Sequence, residues 1–349
     1  MLVTLKSRPM TTDKEKQLLL DISAPDEGTC NTLKNLETDL LLLGAGGKIG
    51  HGCALTAKRA LDQIGSSHKV LAVSRFSSEK SREMFEDDGI TTVKCDLSDA
   101  DAVRNLPDAS HVVYLAGQKF GTASGQQATT WLLNTYVPGV VAQRWSDSRI
   151  AVFSSGNVYP FVSPETGGAT EEIDPSPIGE YAQSVLGRER IFEYFSRANG
   201  TKVCTIRLNY AQEPRYGVIV DLATQIMAGT PIDVTQGYVN VVWAGDCNRV
   251  TIKSLDLADS PPKLLNLSGP QLPVRDLAQK LADALETKVD FVGEEAKTAL
   301  LNNGDYCWKT LGDAEFGVDE MVQYIASYLK SGGETWNKPT HFEARDGKF

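Results

Sequence analysis

Several features are missing from this sequence, and each absence excludes a class of protein. No apolar run approaches the about 18 residues that a membrane-spanning helix requires, because glycine or charge soon interrupts each one. The first ten residues lack the apolar stretch of a secretory signal. The six cysteines form no CxxC pair and have no histidine at metal-ligand spacing, so we expect reduced thiols and neither disulfides nor a metal. Together these absences predict a cytoplasmic protein without a membrane partner.

Basic clusters are absent too. Lys and Arg number 35 against 45 Asp and Glu, which gives a formal net charge of −10, and the basic residues form no block. This charge disfavours nucleic acid as a partner, although it permits a local basic pocket for an anionic small molecule. The remaining composition, 41% hydrophobic and 23% charged, is that of a folded globular protein and excludes collagen-like and disordered chains.

Apolar runs alternate regularly with helical patterns beyond the first 37 residues. The predicted strands are Asp39 to Leu43, Lys69 to Ser74, Thr91 to Asp96, His111 to Ala116, Arg149 to Ser155 and Lys202 to Leu208. Most are continuously apolar, as strands buried on both faces of a parallel sheet should be. The alternation predicts right-handed βαβ units and an α/β fold with a Rossmann-type doubly wound parallel sheet.

The helical patterns and the prolines suggest how the chain is divided. Helices are predicted over 54–64, 124–145, 180–199, 274–285 and 318–329. A further short helix is predicted to begin after an N-cap at Ser98. We expect a polar, largely irregular N-terminal extension (1–37), with one or two helical turns at 14–22, and then a dinucleotide-binding domain (38–208). A smaller mixed α/β substrate lobe (209–335) follows, some of whose segments return to the sheet, and then a C-terminal tail (336–349).

A glycine-rich segment follows the first predicted strand and opens the first long helix. It reads Gly44-Ala45-Gly46-Gly47-Lys48-Ile49-Gly50. Glycines at this spacing allow a tight turn, close approach of backbone N–H groups to a pyrophosphate and tight helix packing, and the helix N-terminus attracts the phosphates. A plain strand-to-helix turn is the alternative, but the strand, turn and helix context favours a dinucleotide.

The ends of the second and third strands bear on which dinucleotide binds. Ser74 and Arg75 stand where an NAD site normally offers an acidic group to the ribose. Serine does not repel a 2′-phosphate and a guanidinium can pair with one, which favours NADP over NAD. An exposed arginine with NAD held by backbone contacts is the alternative. Asp96 could accept from the adenine amino group or could simply cap the strand.

These motifs together resemble the extended short-chain dehydrogenase/reductases, a family that includes nucleotide-sugar epimerases and dehydratases. Besides the glycines, the matches are Tyr114-Leu115-Ala116-Gly117, Asn134, the segment Ser154-Ser155-Gly156-Asn157-Val158-Tyr159, and Tyr181, and the resemblance spans about 38–330. It implies that Ser155 orients a substrate hydroxyl and that Tyr181 is the acid/base. With the observations above it places the cofactor at Gly44, Gly47, Lys48, Ile49, Gly50, Ser74, Arg75, Asp96, Leu97, Leu115, Ala116, Gly117 and Asn134.

The family's lysine, four residues after the tyrosine, is replaced here by Val185. A tyrosine has a pKa near 10 and needs nearby positive charge to act as a base at neutral pH. Lys119, in the loop after the fourth strand, or Arg188, on the tyrosine's own helix, could supply that charge; Lys119 could equally be a solvated loop residue. Otherwise the site performs chemistry that needs a weaker base, or the protein is an inert NAD(P)-binding sensor or scaffold.

The substrate side also departs from the family. The sixth strand ends in Arg207-Leu208-Asn209-Tyr210, with asparagine one position early, and Glu213-Pro214-Arg215 follows. We expect an oxidoreductase or epimerase acting on a sugar, nucleotide sugar or sugar acid, with Asn157, Asn209, Tyr210 and Arg215 lining the pocket, although packing explains the last two equally well. The family often forms homodimers through the helices that correspond to 124–145 and 180–199.

Overall fold

The computed structural model describes residues 13–119 and 121–348. The strands are β1 (Leu40–Leu43), β2 (Val70–Ser74), β3 (Thr91–Lys94), β4 (His111–Tyr114), β5 (Arg149–Ser155), β6 (Lys202–Leu208), β7 (Ala211–Gln212), β8 (Ile232–Asp233), β9 (Tyr238–Asn240), β10 (Val242–Trp243), β11 (Lys263–Leu267), β12 (Gln271–Pro273) and β13 (Phe291–Val292). The helices are α1 (Asp13–Asp21), α2 (Glu27–Leu33), α3 (Gly50–Gln63), α4 (Glu79–Asp87), α5 (Ala100–Arg104), α6 (Gln127–Trp131), α7 (Val137–Arg144), α8 (Gly179–Asn199), α9 (Val218–Met227), α10 (Ala244–Leu257), α11 (Val274–Ala284), α12 (Asp305–Leu311) and α13 (Val318–Lys330).

The central sheet is parallel throughout and has the order β11-β6-β5-β4-β1-β2-β3. The Rossmann-type doubly wound prediction is therefore confirmed. After β3 the chain crosses to the other side of β1, so the strand order reverses between β1 and β4, and open α/β sheets bind ligands at such a point. β11 is a seventh strand that the sequence pattern did not predict.

Helices cover both faces of the sheet. The leucines of β1 are completely buried, with Leu40 and Leu42 packing towards α2, α3 and α10, and Leu41 and Leu43 packing towards α7 and α8. This alternation explains why the strand is continuously apolar. A separate apolar core joins α9, α11 and α13 in the second half of the chain.

The chain before β1 is more ordered than expected. Asp26 caps α2 by accepting the backbone N–H of Thr29 at 2.7 Å, and Leu33 packs into the core beside the sheet. In α1, Leu18 is completely buried in the core of the second half. The expectation of irregular chain is therefore wrong over α2, and residues 1–12 of the predicted extension lie outside the described residues.

Two predicted helices differ in detail. The N-cap of α5 is Asp99, which accepts the N–H groups of Asp101 and Ala102, so the predicted cap at Ser98 is wrong by one residue. The predicted helix over 124–145 is α6 and α7 joined by a π-helical turn, Leu132–Tyr136. A π-helical turn has about one residue more than an α-helical turn, so a search for a 3.6-residue period in the sequence does not detect it.

Over the described residues, no helix is sufficiently long and apolar to cross a bilayer. The six cysteines are buried free thiols. Within the same residues, His, Cys, Asp and Glu form no group of three or more that could hold a metal ion.

Candidate functional site

A cavity of about 590 Å³ opens at the carboxyl ends of the central strands. Its volume is typical of a small-molecule site. The predicted residues in its lining are Gly47, Lys48, Ile49, Leu115, Gly117, Lys119, Ser155, Asn157, Tyr181, Asn209, Tyr210 and Arg215. Chain segments more than 150 residues apart thus meet at one crevice.

The glycines of the loop differ in whether they leave room for a side chain. Gly44 and Gly50 do not, and Gly47 does. Gly44 has φ +83°, and a Cβ there would lie 2.5 Å from the backbone of Ala116; a Cβ on Gly50 would lie 2.0 Å from the oxygen of Ala45. At Gly47 the nearest atom to an added Cβ is the oxygen of Gly44, at 3.5 Å. Gly47 therefore leaves space beside the start of α3, whose first N–H groups have no intrahelical acceptors. This cradle fits a pyrophosphate.

The residues predicted to contact the nucleoside lie beside the loop and outside the cavity lining. Ser74 Oγ is 2.5 Å from where a Cβ on Gly46 would lie, and Arg75 is exposed. Asp96 accepts the N–H of Ser98 at 3.0 Å and its hydroxyl at 2.7 Å, bonds that hold the pKa of Asp96 below its ordinary value. Asp96 thus acts as a turn cap in this structure. Leu97 is buried in the core.

Ser155 and Tyr181 meet in the cavity, as the family resemblance implies. Ser155 ends β5, and Tyr181 lies in the first turn of α8. Burial raises the pKa of Tyr181 above its ordinary value, while the charge of Arg188 and a hydrogen bond with Ser155 lower it. The Ser155 hydroxyl also donates to Asn157 Oδ1 at 2.9 Å. The phenol is therefore protonated at neutral pH in this state of the protein.

Val185 stands at the position of the family's lysine and is buried. It is 1% exposed and packs in an apolar cluster with Val158, Tyr159 and Ala169. The helix position that would carry the cation is thus part of the core. Positive charge near the phenol therefore has to come from a residue other than 185.

Two cations lie near the phenol, Arg188 and Lys119. The guanidinium of Arg188 is buried and donates to the oxygen of Phe153 at 2.6 Å and to Asn134 Oδ1 at 2.7 Å. The ammonium of Lys119 lies 5.8 Å from the ring centroid of Tyr181 and donates to the oxygen of Thr340 at 3.2 Å. Burial lowers the pKa of Lys119 to about 8. Both residues line the cavity.

Asn134 lies beneath the cavity rather than in its lining. It is completely buried, and its amide nitrogen donates to the oxygen of Gln118 at 3.0 Å and to Ser184 Oγ at 2.9 Å. Its oxygen accepts the N–H of Gln118 at 2.9 Å as well as Arg188. Asn134 therefore fixes the loop after β4 and the guanidinium. Ala116, the neighbour of Gly44, is also outside the lining.

The predicted substrate residues line the cavity, but two of them already bond to other side chains of the protein. Asn209 donates to Asn240 Oδ1 at 3.1 Å, and Arg215 pairs with Glu213 at 2.6 Å. Tyr210 has φ +40°, an uncommon backbone conformation that turns the chain at the end of β6. Arg207 is 2% exposed and pairs with Glu189 at 2.7 Å, away from the cavity lining.

The C-terminal tail contributes residues that the sequence analysis missed. Trp336, Lys338 and Thr340 line the cavity, and Trp336 stacks on Tyr216 with 5.7 Å between ring centroids. The tail follows α13 and carries no recognisable motif. Only the path of the folded chain brings it to the crevice.

Comparisons with known proteins agree with this architecture. UDP-glucose 4-epimerase from Thermus thermophilus, solved with NAD, matches with a TM-score of 0.69 and 16% identity. UDP-glucuronic acid 4-epimerase from Bacillus cereus, solved with UDP-glucuronic acid and NAD, gives the same two values. RMD from Pseudomonas aeruginosa, complexed with NADPH, has a TM-score of 0.65 and 19% identity. Each match covers 84% of this chain and 99% of the other.

At these identities the structural matches establish the fold. Curated protein sequences gave no significant match. A family model describing the NAD dependent epimerase/dehydratase family matches residues 40–259, from β1 to just beyond α10. This match covers more than half of the chain and includes the glycine loop, Ser155 and Tyr181, so the protein belongs to the NAD dependent epimerase/dehydratase family.

Proposed function

We propose that the protein binds a nicotinamide dinucleotide in this crevice and acts on a hydroxyl-bearing carbon of a carbohydrate, as an epimerase or an oxidoreductase. The observation that carries the proposal is the hydrogen-bonded pair of Ser155 and Tyr181, which lies in one cavity with the open position at Gly47. Family membership supports the same chemistry. Structural relatives were solved with UDP-sugars and with NAD or NADPH, which supports a sugar substrate and a nicotinamide cofactor.

The cofactor, Ser155 and Tyr181 have different roles in the proposed reaction. The nicotinamide ring, when bound, accepts or returns a hydride. The Ser155 hydroxyl holds the substrate oxygen, while the Tyr181 phenolate takes the proton of the substrate hydroxyl and the resulting phenol gives it back. Because burial raises the pKa of Tyr181, the phenolate forms only when positive charge offsets that burial.

We assign that supporting charge to Arg188, with Lys119 on the substrate side of the ring. The fixed charge of Arg188 already lowers the pKa of Tyr181, and an arginine stays protonated when it is buried. Arg188 lies on α8 one turn beyond Val185, and Lys119 lies in the loop after β4, so neither cation depends on position 185. The loss of the family's lysine is therefore compatible with catalysis.

For the cofactor we propose NADP, with Arg75 pairing with a 2′-phosphate. Arg75 is exposed just after β2, near the glycine loop. The last residue of β2 is Ser74 and not an acidic residue that would repel a 2′-phosphate. Titration calorimetry with NADPH and NADH tests this preference. Tighter binding of NADH would overturn it.

The test of the function is Tyr181→Phe. This variant should bind the dinucleotide as the wild type does, while turnover falls by about 10² to 10⁴. Turnover is followed both by nicotinamide absorbance and by analysis of the sugar products, since an epimerase recycles its cofactor. A protein that binds dinucleotide but converts no sugar in either assay is the inert sensor or scaffold instead.

We also propose a homodimer formed through the surface of α6, the π-helical turn and α8. Trp131, Leu132, Tyr136 and Tyr194 expose from 36% to 65% of their surface there. An exposed apolar group of this kind marks an interaction surface. Sedimentation of the wild type beside Tyr194→Glu measures the assembly, and an identical monomeric mass for both would contradict the dimer.

A further inference from the structure

The cavity carries a charge opposite to that of the whole chain. Although the formal net charge is −10, the described lining contains the cations Lys48, Lys119, Lys338, Arg188 and Arg215 and one carboxylate, Glu213. Glu213 and Arg215 form a pair at 2.6 Å and neutralise each other. The other cations leave the described lining with an excess of positive charge, which favours an anionic ligand.

Three of these cations are lysines from distant parts of the chain. The ammonium of Lys48 lies over the ring of Tyr216, 3.6 Å from its centroid. The ammonium of Lys119 lies 5.9 Å from the ring centroid of Tyr210. Burial, together with the charges of Lys119 and Lys338, lowers the pKa of Lys48 to about 7. Lys48 is thus near enough to Lys119 and to Lys338 to be affected by the charge of each.

The C-terminal tail is anchored so that Lys338 stays at the cavity. On one side, the N–H of Trp336 donates to the oxygen of Arg215 at 2.9 Å. On the other side, Thr340 donates its N–H and its hydroxyl to Asp221 Oδ2, at 2.8 and 2.6 Å. Lys338 stands between these anchors and is exposed at the rim. The tail is thus a wall of the site.

The carboxylates that act on these lysines lie outside the described cavity lining. Asp221 influences both Lys48 and Lys119, and Glu343 influences Lys119, but neither carboxylate belongs to the described lining. The Oδ2 atom of Asp221 is occupied by Thr340. The charged side chains of the described cavity lining are therefore mainly cationic.

We propose that the cavity binds a small carbohydrate that carries its own carboxylate or phosphate, with the anionic group between Lys48, Lys119 and Lys338. The inference rests on the proposed function, because it names the substrate class of the same site. A cofactor pyrophosphate would contact the backbone at the start of α3. The ammonium of Lys119 lies near Tyr181 and Tyr210, and the ammonium of Lys48 extends from the glycine loop to Tyr216, which stacks on Trp336 of the tail. The guanidinium of Arg215 is already paired, which removes one partner for the diphosphate of a nucleotide sugar.

The test compares D-glucuronate, D-glucose 6-phosphate and D-glucose as ligands of the full chain. Trp336 in the cavity wall makes its fluorescence a direct signal of binding, independent of turnover. We expect saturable binding of one of the two anionic sugars, and which of them binds distinguishes carboxylate from phosphate. Lys48→Met should weaken that binding by about 10-fold or more, and Lys338→Met by about 3-fold, whereas D-glucose should respond to neither change.

A matched control removes the same charge elsewhere. Lys34 is exposed at the end of α2 and does not line the cavity, so Lys34→Met should bind every ligand as the wild type does. The proposal is overturned if the anionic sugars bind no better than D-glucose. It is also overturned if Lys48→Met and Lys338→Met weaken NADPH or NADH binding alone, since the lysines would then serve the cofactor phosphates. Failure of the proposed function is distinct, because the wild type would then bind no dinucleotide.

Discussion

Replacing Gly47 by alanine should separate cofactor binding from folding. An alanine Cβ would have the oxygen of Gly44 as its nearest atom, at the ordinary contact distance of 3.5 Å. The free energy of unfolding should therefore change by less than about 1 kcal/mol. The methyl group would enter the space where the backbone has to approach a pyrophosphate, so dinucleotide affinity should fall by about 10-fold or more, equivalent to about 1.4 kcal/mol.

Gly44→Ala is the matched control because it adds the same methyl group where the backbone does not permit it. Left-handed φ costs about 1 to 2 kcal/mol for a non-glycine residue, and overpacking against the backbone of Ala116 costs about 1 to 3 kcal/mol. The free energy of unfolding should thus fall by about 2 to 5 kcal/mol. Thermal unfolding followed by circular dichroism measures stability, and titration calorimetry with NADPH and NADH measures binding. A Gly47→Ala protein that binds both nucleotides with unchanged affinity would refute the assignment of the loop.

Further substitutions examine the charges around the phenol. Val185→Lys should lower the free energy of unfolding by about 3 kcal/mol or more, because the ammonium would be buried among apolar side chains; denaturant unfolding, with Val185→Met as the control, checks this. Arg188→Met should move the pH profile of kcat/KM for sugar oxidation upwards, since the charge that lowers the pKa of Tyr181 is lost; an unmoved profile would exclude Arg188. Lys48 has a pKa of about 7 and is charged below that pH, so D-glucuronate affinity should decrease as the pH rises through 7, and Lys48→Met should abolish this dependence. Glu189→Gln should cost about 3 to 5 kcal/mol of stability, because Arg207 would keep a buried charge without its partner; near-wild-type unfolding would contradict this account of the pair.

Local patterns were sufficient for the sheet and the glycine loop. Strands buried on both faces give continuous apolar runs, so β5 and β6 were predicted with the bounds that the structure has. β11 was missed because its sequence, Lys-Leu-Leu-Asn-Leu, is short and lies in a proline-rich region. Helix α2 was missed because it is short and polar, and only its burial against α3 and α10 accounts for it.

The candidate site was predicted where its residues belong to motifs. Ser155 and Tyr181 follow a fixed spacing on a strand and the next helix, and the structure brings them into one cavity. Asn134 also matched a motif, and its side-chain amide hydrogen-bonds Gln118, Ser184 and Arg188. A motif identifies the residue in the chain. The folded structure decides whether its donors and acceptors bond other protein groups or can bond a ligand.

The sequence by itself predicted the parallel sheet and the glycine-rich turn, because these depend on a repeated apolar pattern and on residues that are close along the chain, and the family resemblance added the pair of Ser155 and Tyr181. Only the tertiary structure decided which lysines line the cavity. Lys48, Lys119 and Lys338 are separated by 71 and 219 positions (119 − 48 and 338 − 119) and no periodicity relates them. They meet because the strand order reverses beside β1 and because Thr340 and Trp336 fasten the tail across the crevice.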